Sequence, residues 1–130
     1  MRISLTATRI VIAVACLLLL SGVATAGEKK LMHCFYFTVI DAATDADWQA
    51  FYKATDALPS KIPGVSQVWY GKLARPLRVG EQTRQFGVCM EMADDAALKA
   101  YATAPYHKEW MDAYAKVRQP GTTTINFMGQ

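Results

Sequence analysis

Three side chains stand out for the chemistry they could carry: the chain's two histidines, His33 and His107, and Tyr101. A neutral imidazole accepts a proton near neutral pH, while a phenol stays protonated there and donates a hydrogen bond. Facing one apolar interior, such a pair can act as base and hydrogen-bond donor. Tyr101 and His107 lie in the stretch YATAPYHKEW, on either side of Pro105. A proline within a helix removes a hydrogen bond and clashes with the preceding turn, so the two rings are expected on separate helices. His107, Trp110, Met111, Tyr114 and Val117 recur at helical spacing, which turns His107 inward with the apolar stripe. Tyr101 shares an inward stripe with Ala97 and Leu98, and His33 alternates with Phe35, Phe37 and Val39 on one strand face. The plain alternative for all three rings is a place in the core with satisfied hydrogen bonds.

Metal chemistry is not expected. His33 and Cys34 are neighbours on a strand and point to opposite faces, so they cannot share an ion without distortion. His33 with His107 supplies two ligands and no third at a motif spacing. No metal, haem or other cofactor is therefore assigned, and Met90, Met92 and Met111 read as core filler.

The elements that must position these residues follow from the pattern. LMHCFYFTVI is β-branched and aromatic throughout and reads as a first strand, apolar on both faces. Thr44 and Asp47 form a capping-box pattern that opens a helix ending at Pro59. VSQVWYGKL reads as a second strand, ARPLRVGEQT as a Pro- and Gly-containing connection, and QFGVCMEM as a third strand. On that third strand Phe86, Val88, Met90 and Met92 share one face, with Gly87, Cys89 and Glu91 on the other. Asp94 and Asp95 cap a short helix, Pro105 starts another, and TTTINFM closes the chain as a strand.

The order β-α-β-β-α-α-β predicts an α+β, ferredoxin-like antiparallel four-stranded sheet with its helices on one face. Its second face would carry Cys34, Tyr36 and Thr38 beside Gly87, Cys89 and Glu91. An exposed apolar sheet face calls for cover, and a second copy of the chain would supply it as a homodimer. Cys34 and Cys89 point to that same face on neighbouring strands, so they form either a disulfide or two buried thiols.

The N-terminal segment has another purpose. Arg2 and Arg9 precede the apolar run IVIAVACLLLL, followed by Ala24-Thr25-Ala26 and Gly27. This is the pattern of a secretory signal peptide over residues 1–26, with cleavage after Ala26. The run falls short of the roughly 20 apolar residues of a membrane span, and the leucines after Cys16 argue against lipid attachment. The domain is then residues 27–130, exported to the periplasm or the medium, where an oxidising environment permits disulfides. Taking Arg2 and Arg9 from the 14 basic residues leaves 12 against 11 acidic ones. Neither nucleic acid nor a membrane surface is expected as a partner of so balanced a chain.

Three groups of residues carry a family resemblance: His33 early in the first strand, LPSKIPGV leading to Gly71, and Tyr101-x-x-x-Pro105-x-His107. Over about Leu31–Met128 the chain resembles the stress-responsive α/β-barrel (Dabb) family. The resemblance implies two ferredoxin-like sheets packed face to face as a dimeric α+β barrel. A branch of that family, the one that includes olivetolic acid cyclase, implies more. There a His and a Tyr at the positions of His107 and Tyr101 perform aldol-type ring closure in a pocket that His33 would also line. Ala104 stands where the commoner His-Pro-x-His form has its first histidine.

Three functions stay open on this reading. One is a cofactor-independent cyclase, lyase or isomerase acting on a small hydrophobic carbonyl compound. In it His107 and Tyr101 are catalytic, and His33, Phe35, Val88, Trp110 and Met111 contact the substrate. The second is non-catalytic binding of a small molecule in the same pocket, and the third is a stress-related structural dimer.

Overall fold

The computed structural model describes residues 29–129; the segment read as a signal peptide lies outside them. The elements are β1 (Leu31–Phe37), α1 (Asp45–Asp56), α2 (Leu58–Lys61), β2 (Val65–Val79), β3 (Gln82–Met92), α3 (Asp95–Thr103), α4 (Pro105–Tyr114) and β4 (Thr123–Met128). The sheet runs β2-β3-β1-β4 and is antiparallel throughout, the ferredoxin-like order that the pattern predicted. No described helix is long and apolar enough to cross a membrane.

Local signals act as their chemistry dictates. The Thr44 hydroxyl accepts from the Asp47 N–H at 3.2 Å, and the Asp47 carboxylate accepts from the Thr44 N–H at 3.0 Å. This capping box pairs two backbone donors that the start of α1 would otherwise leave open. Asp94 caps α3 by accepting from Ala97 N–H at 2.8 Å. Ala104, extended at φ −63° and ψ 137°, separates α3 from α4, and Pro105 occupies the first turn of α4.

Three parts of the sequence reading need correction. α1 stops at Asp56, and Pro59 lies in the first turn of the separate helix α2. The supposed connection ARPLRVGEQT instead extends the β2–β3 hairpin, with β2 running to Val79 and turning through Gly80-Glu81. Pro76 is tolerated because β2 is an edge strand and the register shifts between Lys72 and Leu77, so no ladder bond needs its missing N–H. Gly80, at φ +61°, supplies the left-handed residue of the turn. Thr38 leaves the open face: β1 ends before it, and its hydroxyl donates to the Thr83 carbonyl and accepts from Arg84.

The core lies between the sheet and the helices, where Phe37 and Phe51, both fully buried, pack against Phe86 and Tyr114. The fully buried Thr55 donates to the Phe51 carbonyl at 2.7 Å and accepts from the Trp110 indole at 3.0 Å. Both polar groups are thus paired inside the core, where an unpaired one would cost about 1–3 kcal/mol. On the other sheet face Cys34 and Cys89 are directly opposed across β1 and β3 and joined as a disulfide, with Cα atoms 4.1 Å apart.

Candidate functional site

α3, α4 and β1 bring the three rings together. Tyr101 and His107 meet edge to face across the Pro105 break with centroids 4.5 Å apart. His33 stands 5.6 Å from Tyr101 and 5.7 Å from Phe35. Together with Trp110 and Met111 these residues line one cavity of about 290 Å³, at the small end of ligand sites of roughly 300–1,000 Å³. Of the predicted contact residues Val88 is absent from it. Val88 lies in β3 beneath the core, 1% exposed, whereas the cavity opens over β1 and β4.

Each polar group has a definable state. The His33 Nδ1–H donates to Asn126 Oδ1 at 2.6 Å, which leaves Nε2 as the free lone pair of the neutral ring. Burial pushes the His33 pKa below its ordinary value, and the bond to Asn126 opposes that only in part. His107 is pushed down by burial and then by the nearby His33, with the Ala102 carbonyl working in the opposite direction. Burial raises Tyr101 far above the ordinary phenol range. At neutral pH the cavity therefore holds two neutral imidazoles and a protonated phenol. The Tyr101 hydroxyl makes no hydrogen bond among the described residues, yet it is not among their sealed, unpartnered polar atoms, so it opens to the cavity.

Several lining residues were missed. Thr122 and Thr124 line the cavity from the last strand or just before it, Asn126 on the same strand face holds His33 without lining the cavity itself, and Ile125 and Phe127 face outward. This polar-in, apolar-out alternation was legible in TTTINFM and is the reverse of an ordinary half-buried strand. Arg118, four residues beyond Tyr114, also lines the cavity. A larger hollow of about 530 Å³ lies between the 39–45 loop, α1 and the β2–β3 hairpin. It contains no imidazole or thiol, so it is not the candidate for proton transfer. Among the described residues no three His, Cys, Asp or Glu side chains come together as a metal site would require.

Fold and cavity define an α+β, ferredoxin-like protein with a histidine–tyrosine interior site. The sequence model for the Stress responsive A/B Barrel Domain, Dabb, matches residues 31–126, and the chain belongs to that family. A Dabb family protein from Mesorhizobium loti is 22% identical with a TM-score of 0.58, covering 76% of this chain and 95% of its own. A dimeric ferredoxin-like protein of unknown function from Thermobifida fusca is 20% identical with a TM-score of 0.59, at 78% and 92% coverage. Hydroxynitrile lyase from Passiflora edulis shares the fold at 9% identity and a TM-score of 0.65, covering 79% of this chain and 95% of the lyase. Among curated proteins none matches the chain.

Proposed function

We propose that the protein is an exported homodimer whose cavity takes a small hydrophobic carbonyl compound and moves a proton on it without a cofactor. The observation that carries this reading is the Tyr101–His107 pair, 4.5 Å apart and facing one cavity with the second imidazole, His33. In the reaction His107 removes a proton from the carbon beside the carbonyl, and the electron pair moves onto the carbonyl oxygen. The Tyr101 hydroxyl, without a hydrogen bond among the described residues, donates to that oxygen as it gains charge. The walls formed by Phe35, Trp110 and Met111 exclude water and strengthen the contact. That one neighbour of the same fold is a hydroxynitrile lyase is consistent with proton-transfer chemistry on this scaffold.

The test is deuterium exchange at the methyl group of acetophenone in D2O, which needs no knowledge of the natural substrate. Wild-type protein should accelerate exchange, His107→Ala should lower the rate by roughly 10²–10⁴-fold, and Tyr101→Phe should stay folded and lose most of it. A pure binding protein would show affinity for the ketone with no exchange to lose. Exchange that survives both substitutions would move the chemistry elsewhere.

Two further parts of this proposal have their own support. Trp69, Ile125 and Phe127 stand 49%, 46% and 52% exposed on the open sheet face, around the Cys34–Cys89 pair. A second copy packed there would cover them, and a stable interface buries about 1,200–2,000 Å². Phe127→Arg should sediment as a monomer; an unchanged dimer would refute the face assignment. Export rests on the N-terminal pattern and on the disulfide, a bond of oxidising compartments. Intact mass should place the mature N-terminus at Gly27.

A further inference from the structure

The cavity has a second end. Beyond the Tyr101–His107 pair the rings continue in series: His107 lies 6.0 Å from Trp110, and Trp110 4.7 Å from Tyr114. The guanidinium carbon of Arg118 then stands 4.6 Å from the Tyr114 centroid. A line of aromatic faces thus joins a base at one end to a fixed cation at the other, and both line the same space.

Among the described residues no carboxylate pairs with that cation. The ion pairs among the described residues are Lys99–Asp95 and Lys108–Asp112, both on exposed helix surfaces. Among the described residues no Asp or Glu lines the cavity. Arg118 Nε is buried and has no hydrogen-bond partner among the described residues. A buried donor left in this state is destabilising, the more so when it is charged. Arg84 provides the contrast. It is buried more deeply than the half-buried Arg118, yet its Nε donates to Thr123 and its Nη1 to Thr38 and Gln82. The fold pairs one guanidinium with its own side chains; of the other it seals only Nε, and the two Nη nitrogens, which are neither sealed nor hydrogen-bonded among the described residues, are left to the cavity that Arg118 lines.

Stacking on Tyr114 holds the Arg118 fork in place, so less side-chain freedom remains to be lost when it pairs. Beside it, the Thr124 hydroxyl can donate to a second oxygen, and the Thr122 hydroxyl can do so while accepting from the Tyr114 hydroxyl 2.9 Å away. A planar fork next to hydroxyl donors matches a carboxylate.

We propose that the cavity selects a small organic acid, its carboxylate paired with Arg118 and its apolar or aromatic body lying along Trp110 and Tyr114. The carbonyl-bearing end then reaches Tyr101 and His107. This rests on the reading of the cavity as a ligand site and adds the chemical class that the site prefers.

The probes are benzoate and its neutral isostere benzamide, titrated into the oxidised protein and followed by calorimetry. Benzoate should bind roughly tenfold or more tightly than benzamide, as expected for hydrogen bonds to a charged group. Arg118→Gln should abolish the preference by weakening benzoate binding far more than benzamide binding. Arg118→Lys should restore part of it, which separates loss of charge from loss of fold. Equal binding of the two probes, no binding of benzoate, or a preference that survives Arg118→Gln would overturn the proposal. His107→Ala distinguishes it from the catalytic reading. If acetophenone exchange survives that substitution while the benzoate preference still needs Arg118, the catalytic reading fails and the acid-binding one stands.

Discussion

Helix α4 divides its side chains between two regions that obey different rules. Trp110 and Tyr114 pack one side of their rings into the core with Phe35, Phe37 and Phe51, where the Trp110 indole donates to Thr55, and turn the other side to the cavity. His107 and Met111 face the cavity over β1 and β4, where the Tyr101 hydroxyl and Arg118 Nε have no partner among the described residues. One region is filled and satisfied; the other holds polar groups waiting for something outside the chain. A fold that can pair Thr55 with Trp110 in its interior has no need to leave a phenol and a guanidinium open nearby. The contrast separates what the chain uses to fold from what it presents to a ligand.

Substitutions should fall on opposite sides of that divide. Phe51→Ala, in the filled region, should cost about 3–5 kcal/mol in denaturant unfolding, while the surviving folded fraction keeps its benzoate preference. A loss near zero would mean that the core is far looser than these contacts imply. Removing the disulfide with Cys34→Ser and Cys89→Ser opens a crosslink across a separation of 55 residues. It should cost about 2–4 kcal/mol, and equal stability under oxidising and reducing conditions would show that the bond is not formed. The smallest effect belongs to the cavity. Tyr101→Phe deletes a hydroxyl with no partner among the described residues, so stability should stay within about 0.5 kcal/mol of wild type. A loss of about 1–2 kcal/mol would instead mark Tyr101 as an ordinary paired core residue.

The same divide governs what could be read from sequence. Features set by local chemistry were legible: the Thr44 capping box, the Pro105 break and the alternation of Phe86, Val88, Met90 and Met92. Alternation assigns a residue to a face but not to a place on it. His33 and Val88 both face the helices, yet only His33 reaches the cavity, because β1 lies beside β4 and β3 does not. For the same reason the shared face of Cys34 and Cys89 was visible while their opposition in register was not. The long hairpin was hidden by Pro76 and Gly80, turn-forming types that here occupy a bulge and a true turn. Arg118 was passed over because it lies beyond the end of α4, where a charged residue ordinarily meets solvent.

The central claim is that His107 is a neutral base facing an open cavity, and NMR titration of the two imidazoles tests it most directly. The account predicts that His33 and His107 both titrate below the ordinary 6.5, and that the unmixed spectra of His33→Asn and His107→Ala assign them. Because the folded protein then binds fewer protons than the unfolded chain just below that value, stability should be level from neutral pH up to the ordinary phenol range and decline as pH falls beneath 6.5. Binding of benzoate should shift the His107 resonances, since the two ends of the cavity share one ligand. A His107 that titrates at or above 6.5 and does not respond to benzoate would contradict the account.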